Sequence, residues 1–210
     1  QKKNESYFFN NGFFENSNNK YDKLKILEFS KNMEGWTDEL TEMAHDHIDA
    51  NHPIDVASRE MCVKFLDKYD KSENKIVLEI GCSSGNLIAA IKEKKNFNYI
   101  GSDAVRNQII KLSSLHNDTP FLIFDLLKNP LKKNFCNSLI MLNVLEHIKN
   151  DDEALLEANK ILDKEGILII EVPSGKFLYD DYDRNLLHFR RYNMKEIIKK
   201  IENAGFKIEK

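Results

Sequence analysis

The chain has 210 residues, long enough for one α/β domain and a modest extension. Hydrophobic residues make up 41 % and charged residues 31 %, and the formal net charge of −3 excludes a broad basic footprint for nucleic acid. Three scattered cysteines, Cys62, Cys82 and Cys136, exclude a disulfide framework and a zinc knuckle and predict a reducing cytoplasm; no apolar run is long enough to span a membrane, and no signal peptide is visible.

In chain order, residues 1–20 are rich in Asn, Lys and Phe without a clean period and read as a loosely ordered arm. Residues 21–50 read as helical, around Leu24, Ile26, Leu27, Phe29, Trp36 and Leu40, and predict a lid over a cleft that lies further on. Pro53 breaks that pattern, and Asp55 is placed to cap a helix through Asp67. From residue 75 the pattern alternates. Ile76–Ile80, Tyr99–Ser102, Phe121–Phe124, Ser138–Asn143 and Ile167–Val172 read as buried strands, and Phe206–Glu209 as the start of a sixth. Between them, Asn86–Lys94, Val105–Leu115, Asp151–Leu162 and a helix capped by Asn193 have apolar residues at helical spacing. The expected fold is α/β, a Rossmann-like three-layer sandwich with a mostly parallel sheet and an N-terminal helical lid. The boundaries follow as 1–54 for the arm and lid and 55–210 for the domain.

In such a fold, ligands bind beyond the carboxyl ends of the strands. The first of these loops is Glu79-Ile80-Gly81-Cys82-Ser83-Ser84-Gly85-Asn86. Its G-x-x-x-G spacing differs from the dinucleotide G-x-G-x-x-G. Glu79 would repel a pyrophosphate but suits a ligand bearing an ammonium or sulfonium charge. Asp103 follows Gly81 by 22 residues and ends the second strand, where an acid can accept ribose hydroxyls. Asp125, after the third strand, could accept from an adenine amino group.

These stretches, with Asn143-Val144-Leu145-Glu146-His147-Ile148 and Leu162 to Pro173, resemble a class I S-adenosylmethionine-dependent methyltransferase over residues 75–210. The resemblance implies S-adenosylmethionine as cofactor and S-adenosylhomocysteine as product. It implies that Glu79, Gly81, Cys82, Gly85 and Asn86 surround the methionine part, that Asp103 takes the ribose with Ala104 beside the adenine, that Asp125 and Leu126 hold the adenine edge, and that Asn143 passes near the methionine end. Two departures stand out: Ser83 where the family often has glycine, and Asn137 where it often has aspartate. The family's seventh, antiparallel strand has no counterpart before Lys210.

Methyl transfer from a sulfonium needs mainly alignment and exclusion of water, with a base when the acceptor keeps its proton. His147 is the candidate base, and His188 the second candidate catalytic residue. Glu146, His147 and His188 also resemble the Glu-x-x-Glu-His segment with which some small-RNA and quinone-precursor O-methyltransferases hold a divalent ion. Asn143 at its first position is a weaker ligand, so no metal is assigned. The segment from Tyr179 to Tyr192 resembles the His-x-Arg-Arg-Tyr insert of glycan and secondary-metabolite methyltransferases. Tyr179, Arg190, Arg191 and Tyr192 are therefore expected to meet the acceptor, unless the arginines pair with Asp180, Asp181 or Asp183. The group His45-Asp46-His47 with His52 and Asp55 reads as a solvated helix end rather than a metal site. The expected function is transfer of a methyl group to oxygen or nitrogen of a small acceptor such as a sugar or nucleotide-linked molecule, with no membrane or nucleic-acid partner. The competing readings are an NAD-dependent oxidoreductase and a non-catalytic S-adenosylmethionine-binding module.

Overall fold

The computed structural model describes residues 7–10, 13–16, 19–30, 52–70, 75–93 and 97–209. Nine strands form two sheets among them. The first three, β1 (Tyr7–Asn10), β2 (Phe13–Asn16) and β3 (Asn19–Leu24), make a small antiparallel meander in the order β1-β2-β3. Phe14 of β2 is buried in the main core, so this meander packs on the domain.

The second sheet is parallel throughout. Its strands are β4 (Ile26–Glu28), β5 (Lys75–Ile80), β6 (Phe97–Ser102), β7 (Phe121–Ile123), β8 (Cys136–Leu142) and β9 (Leu162–Glu171), in the spatial order β4-β7-β6-β5-β8-β9. Residues along β5 alternate between its two faces, as the pleat dictates. Leu78 joins Ile100, Leu122 and Leu139 in one core, while Val77 joins Tyr99, Phe121 and Ile140 in the other. α4 (Asp151–Ile161) and α6 (Met194–Asn203) cover the first face with Ala154, Leu155, Ile161, Ile197 and Ile201. α1 (Pro53–Tyr69), α2 (Asn86–Lys92) and α3 (Arg106–Leu115) cover the second with Leu66, Ile88, Ile91, Ile109 and Leu112. Each fully buried Leu or Ile contributes roughly 1.5–3 kcal/mol, so both layers are held mainly by these side chains. The three-layer α/β reading from residue 75 onward is therefore correct.

Four local expectations are corrected. Leu24, Ile26 and Leu27 lie in strands, not helices, because β4 adds an edge to the main sheet beside β7. Phe29 continues that contact, its amide donating to the Ile123 carbonyl at 2.9 Å. The sheet thus recruits residues upstream of the boundary read at residue 54. Trp36, Leu40 and the His45–His47 group lie outside the described residues, so the expected lid is not described. Pro53 is the first residue of α1, and the cap is His52 rather than Asp55: its Nδ1 accepts from the Ile54 amide at 3.3 Å. Phe206–Glu209 forms no strand; Phe206 and Ile208 pack against the first core instead.

α5 (Asp181–Asn185) lies in the segment between β9 and α6. A buried ionic cluster anchors the end of that segment. Tyr192 is 1 % exposed, and its hydroxyl donates to Asp151 Oδ2 at 3.0 Å. Arg190 and Lys200 approach Asp151 Oδ1 at 2.8 and 3.0 Å. Burial pushes the Asp151 carboxyl up, but the Lys200, Arg190 and Tyr192 partners outweigh it and hold it below its ordinary value. A group so depressed contributes stability above the ordinary carboxylate range and loses it as pH falls through the lowered value. Tyr192→Phe removes one buried hydrogen bond and should lower unfolding free energy by about 1–2 kcal/mol, read as an earlier urea midpoint with unchanged slope. An unchanged midpoint would remove Tyr192 from the anchor.

Candidate active site

Because the strands of the second sheet are parallel, their carboxyl ends meet at one edge, and the loops leaving them converge there. The turn after β5 is tightly built. The amides of Gly81 and Cys82 both donate to the Ser102 carbonyl, at 2.8 and 2.9 Å, which binds the turn to the end of β6. Gly81 has φ +77°, and a Cβ on it would lie 2.5 Å from Val144 Cγ2. No side chain fits there, so the turn is pressed against the loop after β8. Ser83, at the position where the related sequences often carry glycine, has φ +41°. A β-carbon in left-handed backbone costs roughly 1–2 kcal/mol.

Two acids stand at adjacent strand tips. Glu79 is buried, and Tyr99 donates its hydroxyl to Glu79 Oε2. Glu79 lies opposite Gly101 in the β5–β6 register, and the room left by the missing side chain there is filled by the Phe121 ring and the Cys82 sulfur. Burial raises the Glu79 carboxyl to about 7; the Tyr99 hydrogen bond opposes this and the nearby Asp103 charge adds to it. Asp103 is also buried. Its Oδ2 accepts from the Ser83 amide and its Oδ1 from the Val105 amide, both at 2.9 Å. The acid therefore locks the glycine turn while standing at the tip of β6. Two buried acids whose charges oppose each other fit a ligand that brings a cation to one and hydroxyls to the other, as S-adenosylmethionine does.

The remaining expected cofactor residues are distributed around this edge. Gly85, with φ +77°, caps α2, and Asn86 begins it. Cys82 is buried among apolar side chains, and burial pushes its thiol well above the ordinary value, so only its backbone faces the turn. Ala104 is exposed just past β6. Asp125 Oδ1 accepts from the Leu127 amide at 3.0 Å, and Leu126 is buried in the first core, which leaves its backbone rather than its side chain for an adenine. Asn143 is exposed with φ +53°, and its side chain donates to Glu171 Oε1 at 3.3 Å. Asn137, the other departure from the family pattern, accepts from the Ile76 amide at 2.9 Å and so pins the start of β5.

On the other side of the edge, a 3-10 turn over Leu145–His147 follows β8. His147 and His188 stack edge to face with ring centroids 4.6 Å apart. His188 reaches this place because the amide of Phe189 donates to the Glu146 carbonyl at 2.8 Å. His188 Nδ1 lies 2.7 Å from Asp183 Oδ1, and Arg191 Nε donates to both Asp183 oxygens at 2.9 and 2.7 Å. Burial pushes Asp183 up, but bonds from His188, the Asp180 backbone and Arg191 prevail and hold its carboxyl below the usual range. Desolvation lowers His147 to about 4, with the His188 charge adding to the fall and a backbone hydrogen bond at Leu186 opposing it.

The four residues expected to meet the acceptor each have a partner within the protein. Tyr179 donates its hydroxyl to the His188 carbonyl at 2.7 Å, Tyr192 is buried on Asp151, Arg190 is paired with Asp151, and Arg191 with Asp183. Sequence reasoning placed Asp183 only as a possible arginine partner and gave Tyr99 no role at the site. The alternation of apolar residues carries no sign of either contact, which depends on strand register and on the return of the insert.

An all-parallel Rossmann-like sheet with acids at the tips of its first two strands defines the class of Rossmann-like methyltransferase domains. The methyltransferase domain family matches residues 56–210, and the chain belongs to that family of S-adenosylmethionine-dependent proteins. No curated protein matches the sequence. Among solved structures, it resembles the [4+2]-cyclase SpnF at 18 % identity and TM-score 0.63, over 78 % of this chain and 62 % of that one. It resembles Haemonchus contortus phosphoethanolamine N-methyltransferase 2, solved with phosphomonomethylethanolamine and S-adenosylhomocysteine, at 16 % identity and TM-score 0.60, over 70 % of this chain and 37 % of that one. A S-adenosylmethionine-dependent methyltransferase from Aquifex aeolicus aligns at 15 % identity and TM-score 0.56, over 70 % of this chain and 80 % of that one. At these identities the likeness shows the fold alone. The family match runs against the oxidoreductase alternative. Among the described residues, no helix is long and apolar enough to cross a membrane.

The two acids give two tests. Asp103→Asn should weaken S-adenosylmethionine binding by about 1.5–3 kcal/mol in calorimetry, the scale of hydrogen bonds to a charged group. Unchanged affinity would take Asp103 out of the site. Glu79 gives a pH test. A bound cation favours the carboxylate, so the complex holds Glu79 at a lower pKa than the free protein does. Affinity should then be full above about 7 and fall as pH drops from 7 to 6. A flat titration from pH 8 to 6 would show that Glu79 does not meet the charged part of the cofactor.

Proposed function

We propose that this domain transfers the methyl group of S-adenosylmethionine to an oxygen or nitrogen of a small molecule, with His147 facing the acceptor. The observation that carries the reading is the placement of the Glu79 and Asp103 acids and the His147–His188 pair in loops at one edge of one sheet. When bound, the cofactor supplies an electrophilic methyl group on a sulfonium, with a neutral thioether to leave. The chain's own work is to hold the cofactor at Glu79 and Asp103, to bring the acceptor in line, and to keep water away. His147 is the group best placed to take a proton from a hydroxyl acceptor. His188 supports it from the insert, with its ring oriented by Asp183 and Arg191.

The acceptor reading shifts in one respect. With Arg190 and Arg191 both engaged on aspartates, neither offers a free fork to a carboxylate or phosphate. Nothing in the insert therefore favours a nucleotide-linked acceptor over a neutral one such as a sugar or an amine. Phosphomonomethylethanolamine, bound by the nematode enzyme, and sugars are both sensible members of a first panel.

The test is a screen with labelled S-adenosylmethionine over hydroxyl and amine acceptors, followed by His147→Ala on the best substrate. With a hydroxyl acceptor, turnover should fall roughly a hundredfold or more while cofactor affinity stays nearly unchanged. Full turnover in the variant would leave His147 a structural role. Binding of S-adenosylmethionine without transfer to any member of a broad panel would favour a binding module.

A further inference from the structure

Glu146 is 0 % exposed, and among the described residues neither of its carboxylate oxygens has a hydrogen-bond partner. A buried polar group left this way is destabilising, and more so when charged. The methyl-transfer reading gives Glu146 no task. Its surroundings do. One ligand atom each from Glu146, His147 and His188 lie within 4.8 Å of one another.

We propose that Glu146, His147 and His188 form a binding site for one divalent transition ion of the zinc type, with Asp183 as the outer partner that orients His188. Two imidazoles and one carboxylate are the donor set of zinc sites that keep a coordination position open. Magnesium and calcium prefer all-oxygen surroundings and are disfavoured by two nitrogen donors. His188 uses Nδ1 on Asp183, which leaves Nε2 as its free donor. The Asp183 carboxylate is held in turn by Arg191 and by the Asp180 amide, at 2.7 and 3.1 Å. A carboxylate behind a histidine is the usual way a protein fixes ring orientation for a metal. Bonds of about 2.1 Å in a tetrahedral site set donors about 3.4 Å apart. The three donors, within 4.8 Å of one another, would draw together to that spacing around an ion. Glu146 and His147 are adjacent in one 3-10 turn, and His188 is tied to it through the Phe189 amide, so no backbone hinge is required.

The site goes beyond methyl transfer and does not depend on it. The open position suits water or an oxygen-bearing acceptor, and His147 would then serve as a ligand rather than a base.

The experiment is direct titration of the chelator-treated chain with Zn2+, Co2+ and Mg2+, by competition against a chromophoric chelator, with S-adenosylmethionine affinity measured on the same samples. One Zn2+ and one Co2+ per chain should bind, with Co2+ giving an intense visible spectrum of low coordination number, and Mg2+ should not bind. Glu146→Gln and His188→Gln should each abolish the stoichiometric binding. Asp183→Asn should weaken Zn2+ roughly ten- to a hundredfold while leaving stoichiometry at one. Absence of Zn2+ and Co2+ binding overturns the proposal, as does binding that survives both Glu146→Gln and His188→Gln. If one of these variants fails to fold, the other decides. Preference for Mg2+ over Zn2+ also overturns it. S-adenosylmethionine affinity reports separately on the methyltransferase reading, so either idea can fail without the other.

Discussion

The parallel direction of all six strands is the constraint on which the rest depends. It sends every loop that follows a strand to the same edge of the sheet, so residues far apart in sequence become neighbours there. Glu79 and Asp103 meet because β5 and β6 are paired in register, and Val144 meets Gly81 because β8 lies on the other side of β5. A backbone with no side chain at Gly81 is the consequence of that crowding rather than a separate feature. The same crowding explains why Ser83 is held in left-handed backbone: the turn has only a few residues in which to reverse before α2 begins.

Charge divides the edge into two halves. On the side of β5 and β6, the acids are buried and repel each other, so each is held partly by the protein's own donors, Tyr99 for Glu79 and two amides for Asp103. That arrangement keeps the site ordered while leaving a net demand for positive charge. On the side of the insert, the basic groups are already matched. Arg190 and Lys200 meet Asp151, and Arg191 meets Asp183. The insert therefore behaves as part of the scaffold. Its ionic clamps fix where the histidines stand, which is a positional contribution more than a stabilising one, since buried ion pairs roughly balance their desolvation.

Much of the strand–helix alternation after residue 75 was legible because buried parallel strands are nearly continuous apolar runs and the covering helices repeat at 3.6 residues. The glycine turn and the acids at strand tips were legible for the same reason, since loop positions follow from strand ends. The N-terminal strands were not. β4 is three residues long, and its partner β7 lies over ninety residues away, so the spacing of Ile26, Leu27 and Phe29 fitted a helix equally well. Phe206 and Ile208 alternate like a strand, yet pack on the core without a partner among the described residues. Contacts set by register, such as Tyr99 on Glu79, and by chain return, such as Asp183 on His188, leave no trace in a local pattern.

Glu146 shows how a misfit at one level points to another. Burial raises its carboxyl to about 8, with the Glu171 and Asp183 charges adding to the rise. A chain that merely needed to fill this volume could do so with an apolar side chain at lower cost. The adjacent imidazoles supply what an apolar side chain could not use. The His147 and His188 rings stand edge to face, and Asp183 holds the Nδ1 side of His188. Two imidazoles beside one unsatisfied carboxylate make the cost intelligible as part of a coordination sphere, and they do so from side chains other than the Glu79 and Asp103 acids.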